Sequence, residues 1–225
     1  MQALTLRQRS LVGLTLFAMF FGAGNLIFPP WLGVQAGTES LSAFIGFLIT
    51  AVGFPILGVM AVAESGGLKN LGARVHPVFA FIFMFLIYLS IGPCLAIPRT
   101  ASTSFEMVVR PLLAENGLLE APLLGWTALG FSQLAYSVFF FLAAFLVALN
   151  PEKLTSRLGK FLCPTLITLI CVLWLGAFVN PIGEAGAPAA AYAGAALAHG
   201  FIDGYQTMDT LAALNFGLII AMNIR

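Results

Sequence analysis

Residues 18–31 (AMFFGAGNLIFPPW) are the stretch best equipped for chemistry, because they lie in a charge-free run yet cannot continue as one unbroken helix. Gly22 and Gly24 loosen the backbone and let a ligand approach it closely. Pro29 and Pro30 lack the amide hydrogens that would bond the carbonyls of Asn25 and Leu26, and helical geometry is disfavoured just before a proline. A broken helix inside a bilayer offers two kinds of group at one place. Amides at the start of its second half, with the positive end of the dipole, suit a carboxylate; carbonyls at the end of its first half suit a small cation. Asn25 adds a side-chain oxygen to such a cation shell. The plainer alternative is a structural kink or a small-residue packing face, both common in membrane helices.

A second stretch, residues 199–217 (HGFIDGYQTMDTLAALNFG), carries Asp203 and Asp209 in otherwise apolar surroundings. For a helix entering near His199, Asp209 lies ten residues in, about 15 Å deep and near the bilayer midplane. Counted from Leu11, residues 22–25 lie about 17–21 Å from the opposite face, so the two stretches meet at similar depth. An ionisable residue there costs at least ~2.5 kcal/mol and marks a pathway, relay or ion site. The alternatives are a shallower helix with Asp209 at the interface, or an aspartate satisfied by neighbouring helices. Asp209 and Thr210 could supply oxygens to sodium, or Asp209 could carry a proton. Tyr88 is the polar ring deep in another apolar segment, and a buried hydroxyl there seeks a helix or a substrate as partner.

These residues need elements to hold them, and the charge spacing outlines those elements. Of 225 residues 60% are hydrophobic and 8% charged, against about 25% charged in a soluble domain. The net charge of +1 gives no reason to expect nucleic acid. Charge-free and histidine-free gaps run over 10–38, 40–63, 77–98, 121–151 and 161–183, each longer than the roughly 20 residues that cross hydrocarbon. With a sixth segment toward the end, they predict an all-α polytopic membrane protein in one transmembrane domain, with spans near 10–36, 40–63, 77–98, 124–149, 161–180 and 200–224.

A cytoplasmic amino terminus puts eight of the ten lysines and arginines inside, leaving Arg99 and Arg110 outside, which sets topology by the positive-inside rule. The amino-terminal apolar run is too long for a signal peptide and no cleavage pattern follows it, so it reads as a retained span. Pro55 predicts a kink in the second span, and residues 150–160 a basic cytoplasmic loop. Residues 180–198 read as an outer loop. Arg99 and Glu106 either pair at an outer mouth or form a solvated helix end. Cys94, Cys163 and Cys171 lack metal or redox spacing and read as packing residues. No metalloprotease pair, serine nucleophile motif or phosphate loop supports an enzyme. A channel-like or structural membrane protein, with Asp209 lining a pore, is the alternative to a carrier.

Residues 21–30 (FGAGNLIFPP) followed by 33–37 (GVQAG) resemble the signature of the branched-chain amino acid transport system II carriers, and 98–101 (PRTA), 104–106 (SFE) and 204–211 (GYQTMDTL) are similar to that family's. The resemblance covers essentially all 225 residues. It implies import of leucine, isoleucine and valine across a bacterial inner membrane by symport with sodium or protons, without other cofactors. It also implies kinship with the leucine transporter's two inverted five-helix repeats, so that this chain would be the first repeat plus the sixth helix, with a discontinuous first helix. By that likeness Gly22, Ala23, Gly24 and Tyr88 would meet substrate. Phe21, Asn25, Asp209 and Thr210 would bind or couple the ion, with sodium at Asn25. Members are about twice this length, so a carboxy-terminal half of the same carrier is expected.

Overall fold

Missing amide hydrogens decide where these helices bend. Pro55 cannot donate, and its ring would crowd the carbonyl four residues back. The segment widens there into a π-turn, Ile49–Gly53, in which the Phe54 amide bonds the Ile49 carbonyl five residues earlier. The computed structural model describes residues 6–123, 125–149, 163–180 and 183–224. At Pro93 the helix instead kinks, Gly92 leaving helical geometry at φ −78°, ψ −115° and the Leu95 amide reaching the Ser90 carbonyl at 3.2 Å.

In chain order the helices are α1 (Leu6–Phe20), α2 (Ala23–Ala36), α3 (Ser40–Leu48), α4 (Phe54–Ser65), α5 (Leu68–Ala73) and α6 (Pro77–Leu89). They continue as α7 (Ala96–Glu115), α8 (Ala128–Ala148), α9 (Cys163–Val179), α10 (Ala196–Tyr205) and α11 (Asp209–Ile224). A two-stranded ribbon, β1 (Pro122–Leu123) with β2 (Trp126–Thr127), pairs antiparallel ahead of α8.

The described residues form two compact units, 6–88 with 163–224 and 89–149. In the first, α10 lies along α3 and α11 along α4. Glycine permits the closeness. A Cβ added to Gly200 would strike the Ala43 carbonyl oxygen, one on Gly46 the Leu197 carbonyl oxygen, and one on Gly204 the Thr50 hydroxyl. This is the small-residue packing that brings membrane helices together, where lipid tails remove any hydrophobic drive between them. Gly37, at φ 49°, ends α2 and turns the chain into α3. The segment 183–195 runs over that turn, its Ala189 amide on the Gln35 carbonyl at 2.8 Å and the Thr38 amide on the Gly186 carbonyl at 3.0 Å. Beneath it Leu32, Ala36, Ala43, Phe47, Tyr192 and Ala196 form a buried cluster.

In the second unit α7 packs on α8. Phe105 is buried with its ring 5.7 Å from that of Tyr136, and Thr127 caps α8 by accepting the Gly130 amide at 3.2 Å. Glu106 pairs with Arg110, one turn along α7, at 2.6 Å.

Among the described residues three helical runs are long and apolar enough to cross a membrane: Ala23–Ser65, Pro77–Glu115 and Ala128–Ala148; Cys163–Val179 is apolar but shorter. The outward faces suit lipid, since Phe139, Phe178 and Val179 are each more than two-thirds exposed. Interruptions inside the expected first and sixth spans leave shorter pieces there. The expected third span, ending near residue 98, covers α6 and a kink at Ser90–Cys94, where Gly92 leaves helical geometry, and a separate helix, α7, then begins at Ala96. The first interruption falls at residues 21–22, at the edge of the expected 22–25, but Pro29 and Pro30, expected to help break the helix, sit inside α2. Two lost donors strain a helix without ending it; the extended Gly22 does end it. Residue 124 and the basic loop at 150–160 lie outside the described residues, as do residues 161–162 of the fifth expected span.

Candidate binding site at two helix interruptions

Helix α1 ends at Phe20, the Phe21 amide still reaching the Phe17 carbonyl at 2.8 Å, and Gly22 then adopts an extended conformation at φ −112°, ψ −175°. In a continuous helix the Phe20 carbonyl would accept the amide of residue 24. Here the Asn25 side-chain nitrogen takes it at 2.9 Å, while the Asn25 main-chain amide bonds the Gly22 carbonyl at 3.1 Å. Asn25 is therefore a staple across the break. No side chain caps α2 at Gly22, so the first-turn amides of Ala23 and Gly24 face the gap left by the helix start.

The second interruption has the same logic with different residues. Helix α10 closes with the Gln206 amide on the Asp203 carbonyl and the Met208 amide on the Tyr205 carbonyl, both 3.0 Å. Met208 then takes φ 67°, the sole non-glycine at positive φ among the described residues. A residue held there stores about 1–3 kcal/mol and stays only because its surroundings force it. Helix α11 begins at Asp209, with the Ala212 amide on the Met208 carbonyl at 3.0 Å. The Thr207 hydroxyl donates to the Gly204 carbonyl at 2.8 Å and accepts the Asp209 amide at 3.5 Å.

Among the described residues the buried polar side chains are Thr50, Thr207 and Asp209, with relative exposures of 0%, 5% and 8%. All three flank the second interruption. A cavity of about 460 Å³ joins it to the first; α1 supplies Phe17 and Phe20, the break Phe21 and Asn25, α4 Ile56 and Val59, and α11 Asp209. Its wall is apolar, with Asn25 and Asp209 as its polar residues, which is the composition of a small-molecule site.

Of the residues singled out from sequence, Phe21, Asn25 and Asp209 line this cavity. Gly22 is exposed at the break, Ala23 and the buried Gly24 open α2, and the Thr210 hydroxyl donates to the Thr50 carbonyl at 3.4 Å. Tyr88 lies on α6 with 56% of its surface exposed and is not among the cavity's lining residues. Sequence reasoning passed over Thr50 and Thr207. The trace of Thr50 was present in Pro55, five residues on, read then as a kink alone. Beyond the cavity, in the 183–195 segment, the buried Tyr192 hydroxyl donates to an Asp203 carboxylate oxygen, whose partner oxygen accepts Gln206 Nε2 at 3.0 Å. Burial and this bond push the Tyr192 pKa up to about 12.

Compared with known proteins, residues 6–225 match the family model described as branched-chain amino acid transport protein. The chain belongs to the branched-chain amino acid transport family. The family is one of transport proteins, not enzymes. Family relatives include a Bacillus subtilis branched-chain amino acid permease, BrnQ, 44% identical over 93% of this chain and 46% of its own length. The Pseudomonas aeruginosa branched-chain amino acid transport system 3 carrier protein is 43% identical over 100% of this chain and 49% of its own. The Escherichia coli K12 permease BrnQ is 41% identical over 96% and 47%. The chain spans about half the length of the curated relatives it matches. No solved structure matches it.

Proposed function

We propose that this chain is the first half of a secondary active transporter that imports leucine, isoleucine or valine by symport with sodium or protons. The carrier sits in the cell inner membrane with its amino terminus in the cytoplasm, and its architecture is an inverted repeat of the leucine-transporter kind. The supporting observation is that both interrupted helices border one apolar cavity, in which Asn25 and Asp209 are the polar points. In this reading the Ala23 and Gly24 amides at the positive end of α2 receive the amino acid carboxylate, and the apolar wall takes the branched side chain. Asn25 spends its nitrogen on Phe20, which leaves its Oδ1 for a cation beside the carbonyls that end α1. Asp209 supplies the negative charge that either holds sodium or carries the proton. Thr210 adds a hydroxyl on the same turn.

The experiment is uptake of labelled leucine by proteoliposomes holding the full-length carrier, with sodium and proton gradients imposed separately. Saturable uptake driven by one of them is the expected result. Uptake indifferent to both gradients removes the symport, and unsaturable flux replaces the carrier with a channel.

A further inference from the structure

We propose that Thr50 is a positioning residue that pins both halves of the interrupted sixth helix to the second span, a role that rests on the transport reading above. The geometry comes from Pro55. In the widened turn the Phe54 amide bonds the Ile49 carbonyl, so the next amide in that register belongs to residue 55 and its acceptor would be the Thr50 carbonyl. Proline has no such amide. The Thr50 carbonyl is thus left to another donor in a fully buried position, and the Thr210 hydroxyl, in the first turn of α11, provides it at 3.4 Å. The Thr50 hydroxyl points the other way along the same interface. It donates to the Phe201 carbonyl of α10 at 2.8 Å, with the Phe47 carbonyl of its own helix at 3.2 Å.

One residue therefore holds helix on both sides of residues 206–208. Gly204 makes room for it, since any Cβ there would collide with the Thr50 hydroxyl. Asp209, adjacent to Thr210 in sequence, lines the cavity from the helical turn that the Thr210 bond holds. A movement that opens the break must give up one of them, and a buried carbonyl or hydroxyl left without its partner is costly to strand.

The test uses the full-length carrier in proteoliposomes, with T50V, T50S and T210V each made in a background carrying Met208→Cys and no other cysteine. Two quantities are read: the maleimide labelling rate of Cys at position 208, and the half-saturation concentrations of leucine and of the coupling cation against the maximal rate. T50V is expected to raise labelling and cation half-saturation by about tenfold, more than it lowers the maximal rate, whereas T50S stays within about twofold of the parent. T210V shifts both in the same direction, and it provides the comparison where T50V does not insert. Labelling and half-saturation at parental values in T50V and T210V overturn the proposal, as does T50S impaired as much as T50V, which would make side-chain volume the cause. If the parent carrier takes up no leucine, the transport reading fails by itself, and the labelling rates still decide the role of Thr50.

Discussion

Asn25 holds two helix ends together through one side-chain amide, its nitrogen on the carbonyl of Phe20 and its main chain opening α2. Asn25→Leu keeps the branching of heavy atoms and removes both the donor and the oxygen. It is expected to cut gradient-dependent leucine uptake at least about tenfold, while the protein still inserts, as checked by uptake normalised to immunoblotted carrier. Tyr192 predicts a pH effect of known sign. Its folded pKa of about 12 lies above the free phenol's 10, so its contribution to stability is complete below pH 10 and is lost as pH rises toward 12. Thermal stability in detergent should fall across that interval in the parent and less steeply in Tyr192→Phe. Both roles were half visible in sequence. A lone asparagine between glycines and prolines advertises a break, yet which of its atoms is used depends on where α1 stops. Tyr192 could not be paired with Asp203 from sequence, since that contact needs the 183–195 segment folded back over α10.

The elements explain why glycine recurs on α10. Gly200→Ala would drive a methyl into the Ala43 carbonyl, and Gly204→Ala into Thr50. Each should destabilise by about 1–3 kcal/mol through overpacking, seen as a lower Tm of the purified carrier, while Gly33→Ala, with open space around it, should not. Pro55→Ala restores an amide that the Thr50 carbonyl can use in place of Thr210. The Thr210 hydroxyl then competes for that carbonyl, which loosens the first turn of α11, where Asp209 lines the cavity. Leucine half-saturation should rise about tenfold with helical circular dichroism unchanged.

At the scale of the molecule, the charge pattern predicts sidedness. Reporter fusions after Lys69 should read as cytoplasmic and those after Arg110 as external, with the amino terminus inside. The opposite pattern would invert the proposed orientation of both interrupted helices. Charge spacing determined unaided that the protein is helical and apolar, and the glycines and prolines of residues 22–30 that its first span is broken near Gly22, because hydrocarbon solvent forbids unpaired backbone and long charged runs whatever the packing. Only the tertiary structure decided that Pro29 and Pro30 stay inside α2, that Tyr88 is not among the residues lining the cavity, and that Thr50 bonds helix on both sides of residues 206–208. The last of these depends on which carbonyl meets which donor across helices more than a hundred residues apart in the chain, and a local pattern carries no record of that.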